Sequence, residues 1–176
     1  YKIKYKIPNF SIENKLCGKI RPHFFPGVKK IVTKLFDIIE PDKSFFGEKD
    51  FQQYLVIKEL CKKIKLKTVI VKCRTVRDKN GLALSSRNNY LNEKEKKIAQ
   101  KINKSVKKFL PFFRENLKVV RGTLKLKQDL YKHGIDSIDY LKIFTEQLTI
   151  RKKLNDKCRL FIAVKIGNTR LIDNYK

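Results

Sequence analysis

The sequence contains no methionine, and only two histidines, five prolines and seven glycines in 176 residues. A chain that starts at Tyr1 and has no Met sets the expectation that it is part of a longer protein. The cysteines stand at 17, 61, 73 and 158, with no CxxC pair among them, and His23 and His133 are not spaced to complete a zinc site. They are read as small buried hydrophobes in a reducing cytoplasm. Apolar runs such as "TVIVKC" and "RLFIAV" are too short to span a bilayer. The opening "YKIKYKIPNF" alternates Lys with apolar residues and has no continuous apolar stretch of the secretory kind. Acidic residues are scarce: 17 against 43 Lys and Arg, a net charge of +26. A field of that sign attracts polyanions, so nucleic-acid binding is one reading. Against it, the basic residues are mostly Lys spread along the whole chain, whereas base readers favour the bidentate fork of Arg. General lysine enrichment is the plainer account, and no specific nucleic-acid partner is expected.

What is present is enough apolar residue, 41%, to build a core despite 34% charge. Spacing of Val28, Ile31, Val32, Leu35, Phe36 and Ile39 predicts a helix over 27–40, opened at Pro26 and Gly27 and stopped by Pro41. "KSFF" (43–46) reads as a short strand. A second helix follows over 50–64, its buried side traced by Phe51, Tyr54, Leu55, Ile57 or Lys58, Cys61 and Ile64. "TVIVKC" (68–73) is a β-branched strand. Helix, strand, helix, strand implies a parallel sheet with helical crossovers. After residue 75 the style changes. Asp78, Asn80 and Gly81 carry turn chemistry. Asn92 and Glu95 form a capping box for a helix to about Leu110, with Ile98, Ala99, Ile102, Val106 and Phe109 inward and Pro111 at its end. Another helix is expected over 115–132, closed by Gly134. Strands follow at 138–144, 159–166 and 169–173, the last two joined by a tight "GN" turn. The fold class is therefore α/β: an incomplete Rossmann-like parallel-sheet domain (1–75) followed by a small α+β domain with an antiparallel sheet (76–176).

Two clusters invite chemistry. In "FFGEKDFQQ" (45–53) a strand runs through a glycine and charged residues into a helix. A glycine there lets backbone approach a ligand, and a helix N-terminus suits phosphate. Lys49 adds positive charge, Asp50 can hold a ribose or cap the helix, and either Gln52 or Gln53 can face a cleft. The ordinary alternative is a plain strand-to-helix turn with Asp50 as cap. The segment is neither a GxxxxGK[ST] loop nor a GxGxxG fingerprint. In "GLALSSRN" (81–88), Ser85 and Ser86 can donate to phosphate oxygens and Arg87 can fork across them. No G-x-S-x-G elbow marks a serine nucleophile.

Together these blocks carry a resemblance. "L-x-G-x-x-RP" at 16–22, "GV…IV-x-KLF" at 27–36, "FGEKDFQQ" at 46–53, "VR-x-x-x-GLALSSRN-x-YL" at 76–91 and "RLIDN" at 170–174, in this order, make the chain similar to the pantothenate synthetase (pantoate–β-alanine ligase) family of nucleotidylyltransferases. The resemblance implies ATP-dependent condensation of pantoate with β-alanine to pantothenate, AMP and pyrophosphate through a pantoyl adenylate. It implies ATP and Mg²⁺ as cofactors, a cytoplasmic homodimer, and no membrane partner. On matching positions it implies an ATP site of Gly47, Glu48, Lys49, Asp50, Val76, Leu84, Ser85, Ser86 and Arg87. Lys49, Ser85 and Arg87 take the catalytic charge-stabilising roles, Gln53 contacts pantoate, and no protein side chain is assigned to a metal. The chain departs from the family in "RPHFFPGV" (21–28), where Phe24 takes the usual His place, and in Asn80-Gly81 for the usual Asp-Gly. The family's His-x-Gly-His-type motif has no match here, so the piece alone is expected to be inactive. An inactive remnant of the enzyme is the alternative reading, and a basic nucleic-acid-binding module a minor one.

Overall fold

Backbone N–H and C=O groups must find partners, and the two short strand segments of the first half find each other. The computed structural model describes residues 4–115 and 118–176, and the chain divides into two compact units, Tyr1–Arg74 and Thr75–Lys176. In the first unit, β1 (Lys43–Gly47) and β2 (Val69–Cys73) run parallel, Lys43 opposite Val69 and Gly47 opposite Cys73. A parallel pair needs a crossover, and α3 (Phe51–Lys63) supplies it. Ahead of the sheet lie α1 (Leu16–Ile20) and α2 (Phe24–Ile39).

The α2 helix starts three residues before the expected position. Pro26 sits inside its first turn, where the missing N–H has no intrahelical acceptor to lose. Glu40 ends it in the left-handed region at φ 48°, donating its N–H to Phe36 O, one residue before Pro41. The larger departure concerns its faces. Of the apolar positions expected inward, only Phe36 is buried; Val28 and Val32 are half-buried, and Ile31, Leu35 and Ile39 are exposed. The buried side is Phe25, Lys29, Thr33, Phe36 and Asp37. The reason is the segment before α1, which lies against that side. Lys29 Nζ donates to Pro8 O at 2.6 Å, Asn9 Oδ1 at 3.2 Å and Glu13 Oε1 at 2.6 Å. Glu13 Oε1 also accepts from Phe10 N at 2.8 Å. Lys29 is 1% exposed and Glu13 7%, so this ion pair stands where an apolar contact was expected. On α3 the expected Phe51, Tyr54, Ile57 and Cys61 are buried; Val56 and Leu60 join them, while Leu55 and Ile64 are only partly buried.

The second unit follows its sequence pattern closely. The α4 helix (Glu93–Phe109) is opened by the expected box, Glu95 N donating to Asn92 Oδ1 and Asn92 N to Glu95 Oε2, both at 2.9 Å. Pro111 does not stop the chain dead but opens a 3-10 turn, Leu110–Arg114. The next helix, α5, runs Val119–Lys132; residues 116 and 117, inside the expected 115–132 span, lie outside the described residues. Gly134 follows at φ 95°, a conformation that favours glycine. Four antiparallel strands come next: β3 (Ser137–Thr145), β4 (Ile150–Arg151), β5 (Cys158–Ile166) and β6 (Thr169–Tyr175), in the order β4-β3-β5-β6. The two-residue β4 was not expected, being too short to carry a period. Gly167 makes the β5–β6 turn at φ 53°. The core is continuous: Ala99, Ile102, Val106 and Phe109 from α4 and Leu126 and Leu130 from α5 cluster with Leu160, Ile162, Val164 and Leu171 of the sheet. The architecture is thus mixed α/β, as the alternation of elements predicts: a two-stranded parallel sheet in one unit and a four-stranded antiparallel sheet in the other. All four cysteines are free; Cys17, Cys61 and Cys158 are buried and Cys73 is half-buried. Burial pushes the Cys61 thiol up to about 11.

Candidate functional site

In open α/β sheets, ligands gather at the carboxyl ends of the strands. At that end of β1 the chain passes Gly47, makes a 3-10 turn over Glu48–Asp50 and enters α3 at Phe51. Gly47 has an ordinary extended backbone (φ −65°, ψ 129°), and a Cβ placed there would meet no atom within 4 Å. Neither strain nor packing among the described residues demands glycine there. Lys49 Nζ lies 3.2 Å from Asp50 Oδ2, with the Lys side chain 12% exposed and the Asp 41%. Asp50 stands at the cap position of α3 but makes no side-chain cap hydrogen bond. The expected choice between capping and an outward role thus falls away from capping.

The two glutamines separate. Gln52 is buried: its Oε1 accepts from Cys17 N at 3.0 Å, and its Nε2 donates to Ile12 O at 2.8 Å and Lys15 O at 2.7 Å. It pins the segment around α1 to the first turn of α3 and is spent on that. Gln53, beside it, is half-buried and is the glutamine left to face outward. No local pattern reveals the Gln52 clamp, because its partners lie 35 to 40 positions away.

The second cluster lies in the second unit. An isolated β-bridge pairs Arg77 with Ala83, and Leu84 N donates to Val76 O at 2.9 Å. Val76 and Leu84 therefore stand opposite each other, 66% and 53% exposed, as a small apolar platform. Asp78 holds the turn between them: its Oδ1 accepts from Asn80 N at 2.8 Å and Leu82 N at 2.9 Å. Gly81 is needed there, at φ 87° and with a Cβ position that would run into Asn103 Nδ2. Directly after the platform, Ser85 caps a 3-10 turn (Ser86–Tyr90), its Oγ accepting from Arg87 N at 3.3 Å. Ser86 and Arg87 are exposed and Ser85 half-buried. The structure thus groups Gly47, Glu48, Lys49, Asp50 and Gln53 in one unit and Val76, Leu84, Ser85, Ser86 and Arg87 in the other. Arg77 and Asp173, both inside quoted sequence blocks, had no role from sequence; here Arg77 is forked on Asp173.

A cavity of about 350 Å³ between α4 and α5 is lined by Lys101, Lys104, Ser105, Lys108, Asp129, Lys132 and His133. It holds a Ser, a His and an Asp, but His133 turns the same Nδ1 to Ser105 (3.5 Å) and to Asp129 (3.3 Å). A nucleophilic triad needs the two on opposite ring nitrogens, so this grouping is no hydrolase centre. Among the described residues no group of three or more His, Cys, Asp and Glu could hold a metal ion, and no helix is long and apolar enough to cross a membrane.

The family model described as Pantoate-beta-alanine ligase matches residues 1–176. The chain belongs to that family. Pantothenate synthetase of Thermodesulfovibrio yellowstonii is 41% identical over 167 residues, covering 93% of this chain and 59% of the relative. The enzyme of that name from Pelotomaculum thermopropionicum is 41% identical over 168 residues, with 93% and 58% covered. Among solved structures, pantothenate synthetase from Thermus thermophilus superposes with a TM-score of 0.84 at 30% identity, over 97% of this chain and 62% of that one. Pantoate-beta-alanine ligase from Francisella tularensis, complexed with beta-gamma ATP and beta-alanine, gives 0.75 at 34% identity, over 96% and 56%. The chain therefore spans about three fifths of the length of the curated relatives it matches. Both clusters of this pantoate–β-alanine ligase family member lie within the matched stretch.

Proposed function

We propose that this chain supplies nucleotide-binding parts of an ATP-dependent ligase that joins pantoate to β-alanine. The family match over residues 1–176, with the turn at Gly47–Asp50 placed at the carboxyl end of a parallel strand, carries the reading. The reaction has two steps. A pantoate carboxylate oxygen attacks the α-phosphorus of ATP and pyrophosphate leaves. The β-alanine amine then attacks the acyl carbon, and AMP leaves with the bonding electrons of the acyl–oxygen bond. The first step brings an anion to a polyanion, so its barrier is chiefly electrostatic, and the protein's work is positioning and charge neutralisation.

In this reading Lys49 neutralises phosphate charge and Asp50 accepts from the ribose hydroxyls. The open face of Gly47 lets the nucleotide approach the backbone, with Glu48 beside it. Val76 and Leu84 offer their platform to the adenine, while Ser85, Ser86 and Arg87 hold phosphate oxygens. Gln53 hydrogen-bonds pantoate. No covalent enzyme intermediate is required. Mg²⁺ belongs to the same reading. When bound it would offset charge on the ATP phosphates. The proposal extends to a cytoplasmic homodimer.

The test is pantoate-dependent pyrophosphate exchange by the protein as its source cells make it. Lys49→Ala should slow exchange at least about 100-fold, the scale for losing one preorganised charge donor. Near-normal exchange in that variant removes Lys49 from the role. No exchange by the unsubstituted protein would favour the inactive remnant instead.

A further inference from the structure

The second unit contains a charged contact to which the ATP reading gives no task. Arg77 and Asp173 lie 96 positions apart, and the guanidinium forks on the carboxylate: Nη1 to Oδ2 at 2.5 Å, Nη2 to Oδ1 at 2.9 Å. Nη1 also donates to Gly81 O at 3.1 Å, inside its own hairpin. On the other side, Tyr175 Oη donates to Asp173 Oδ2 and Asn174 N to Oδ1, both at 2.8 Å. The Arg77 guanidinium carbon sits 5.1 Å from the Tyr175 ring centre. Burial works against the Arg77 charge, but the hydrogen bond and charge of Asp173 outweigh it and raise the guanidinium further. Burial, followed by the Asp173 charge, also raises Tyr175 well above the usual phenol range, so its hydroxyl stays a donor.

We propose that Arg77 and Asp173 are positioning residues that hold the Leu84–Arg87 loop ready for the ATP phosphates, by tying its hairpin to β6. This rests on the reading of that loop given above. The hairpin is short, one β-bridge from Arg77 to Ala83 with Leu84 N on Val76 O and Asp78 N on Leu82 O, both at 2.9 Å, too little to be stable alone. Its other ties run locally through Asp78, to α4 through Gln100 Nε2 at 3.2 Å, and to the next turn through Asn88 Nδ2 on Ala83 O at 3.1 Å. Leu82 and Leu91 pack on the core on either side of the loop, and the fork adds a charged anchor to β6, next to the bridge that sets the direction of the chain into Leu84. Ordering a loop at the moment of binding costs about 1–2 kcal/mol per residue in backbone freedom, so a loop fixed beforehand binds phosphate more tightly. The geometry also favours Arg: a lysine ammonium cannot meet both carboxylate oxygens in the plane.

The experiment is amide hydrogen exchange by NMR on the isotope-labelled native protein, unsubstituted and as Asp173→Asn and Arg77→Lys, with ATP titrations of each. The reporters are the Arg87 and Asn88 amides, which donate to Ser85 Oγ and Ser85 O. Both variants should speed their exchange about tenfold or more, the scale of losing charge-assisted hydrogen bonds, and weaken ATP by a similar factor. The amides of Val106 and Ile162 should stay close to their unsubstituted values under conditions where each variant is folded. Tyr175→Phe, which removes a single hydrogen bond, should show a smaller change of the same local kind and serves if Asp173→Asn fails to fold. Unchanged exchange at Arg87 and Asn88 would overturn the proposal. So would equal acceleration at Val106 and Ile162, which marks a purely structural contact. Failure of the unsubstituted protein to bind ATP would refute the ATP reading by itself, while the exchange comparison still decides whether the fork orders the loop.

Discussion

The two units bury the middle of a helix in opposite ways. In the first, α2 turns Lys29 inward at 1% exposure and closes on Glu13 and two further oxygens. In the second, α4 turns Val106 inward at 0% and closes on aliphatic and aromatic side chains from α5 and the sheet. An apolar interior gains with each carbon removed from water and tolerates small shifts. A buried ion pair must first regain the hydration it lost, and it does so only while every partner stays in place. The risk at α2 is therefore concentrated in one pair, whereas at α4 it is spread over many contacts. Exposed apolar side chains occur in both units, Val76, Leu84, Val120, Leu124 and Ile150 among them in the second. Ile31, Leu35, Ile38 and Ile39 of α2, with Phe45 and Val69 of the sheet, lie exposed in the first unit.

The sharpest way to break this contrast is Lys29→Ala. It leaves the Glu13 carboxylate buried with the Phe10 amide as its remaining named partner, and should cost the first unit about 3–5 kcal/mol. Hydrogen exchange across α2 and α3 should rise while Val106 and Leu160 stay protected; equal loss in both units would end the contrast. Leu130→Ala is the matching substitution in the second unit. At 0% exposure it should cost about 2–5 kcal/mol in urea denaturation, through lost contact and a cavity. A cost below that range would mean that this core relaxes more readily than its packing indicates. Smaller still is Ile31→Glu with Leu35→Glu, expected to change stability by no more than about 0.5 kcal/mol while reducing self-association in light scattering. Unfolding of that variant would show that the α2 stripe is covered in the native protein. The smallest effect is electrostatic and belongs to Asp129. Burial raises its carboxyl, but the Ser105 hydrogen bond and the neighbouring Lys108 and His133 hold it below the usual aspartate value. A depressed carboxyl contributes stability above its unfolded value, about 3.9, and loses it as pH falls through the folded one. Asp129→Asn should thus be slightly less stable at neutral pH, and the gap should close below about pH 4. A gap that persists there in acid-denaturation curves would assign the loss to packing instead.

Legibility in the sequence followed the range of the interactions. The α4 capping box could be read because Asn92 and Glu95 are three positions apart, and the inward row from Ala99 to Phe109 because period and burial agree. The α2 face was misread for a physical reason: periodicity locates the apolar stripe and assumes that it is buried, whereas here the pre-α1 segment brings an acid to the other side. Gln52 was undecided for a related reason, since nothing within its own turn distinguishes a cleft glutamine from one bonded to Ile12, Lys15 and Cys17. The candidate nucleotide residues came from ordered blocks matched to a family, which names roles but not contacts. Only the folded chain shows that Val76 faces Leu84 across a bridge, or that Arg77 reaches Asp173.

The register of the parallel pair has a practical consequence. Cys73 lies opposite Gly47 and is the thiol with surface to spare, whereas Cys17, Cys61 and Cys158 are enclosed, and Cys61 carries negligible thiolate at neutral pH. An unaltered chain can therefore be alkylated selectively with an environment-sensitive dye at one position. That dye would sit one strand away from the turn that precedes α3, so its emission can test the proposed nucleotide site there without any engineered cysteine.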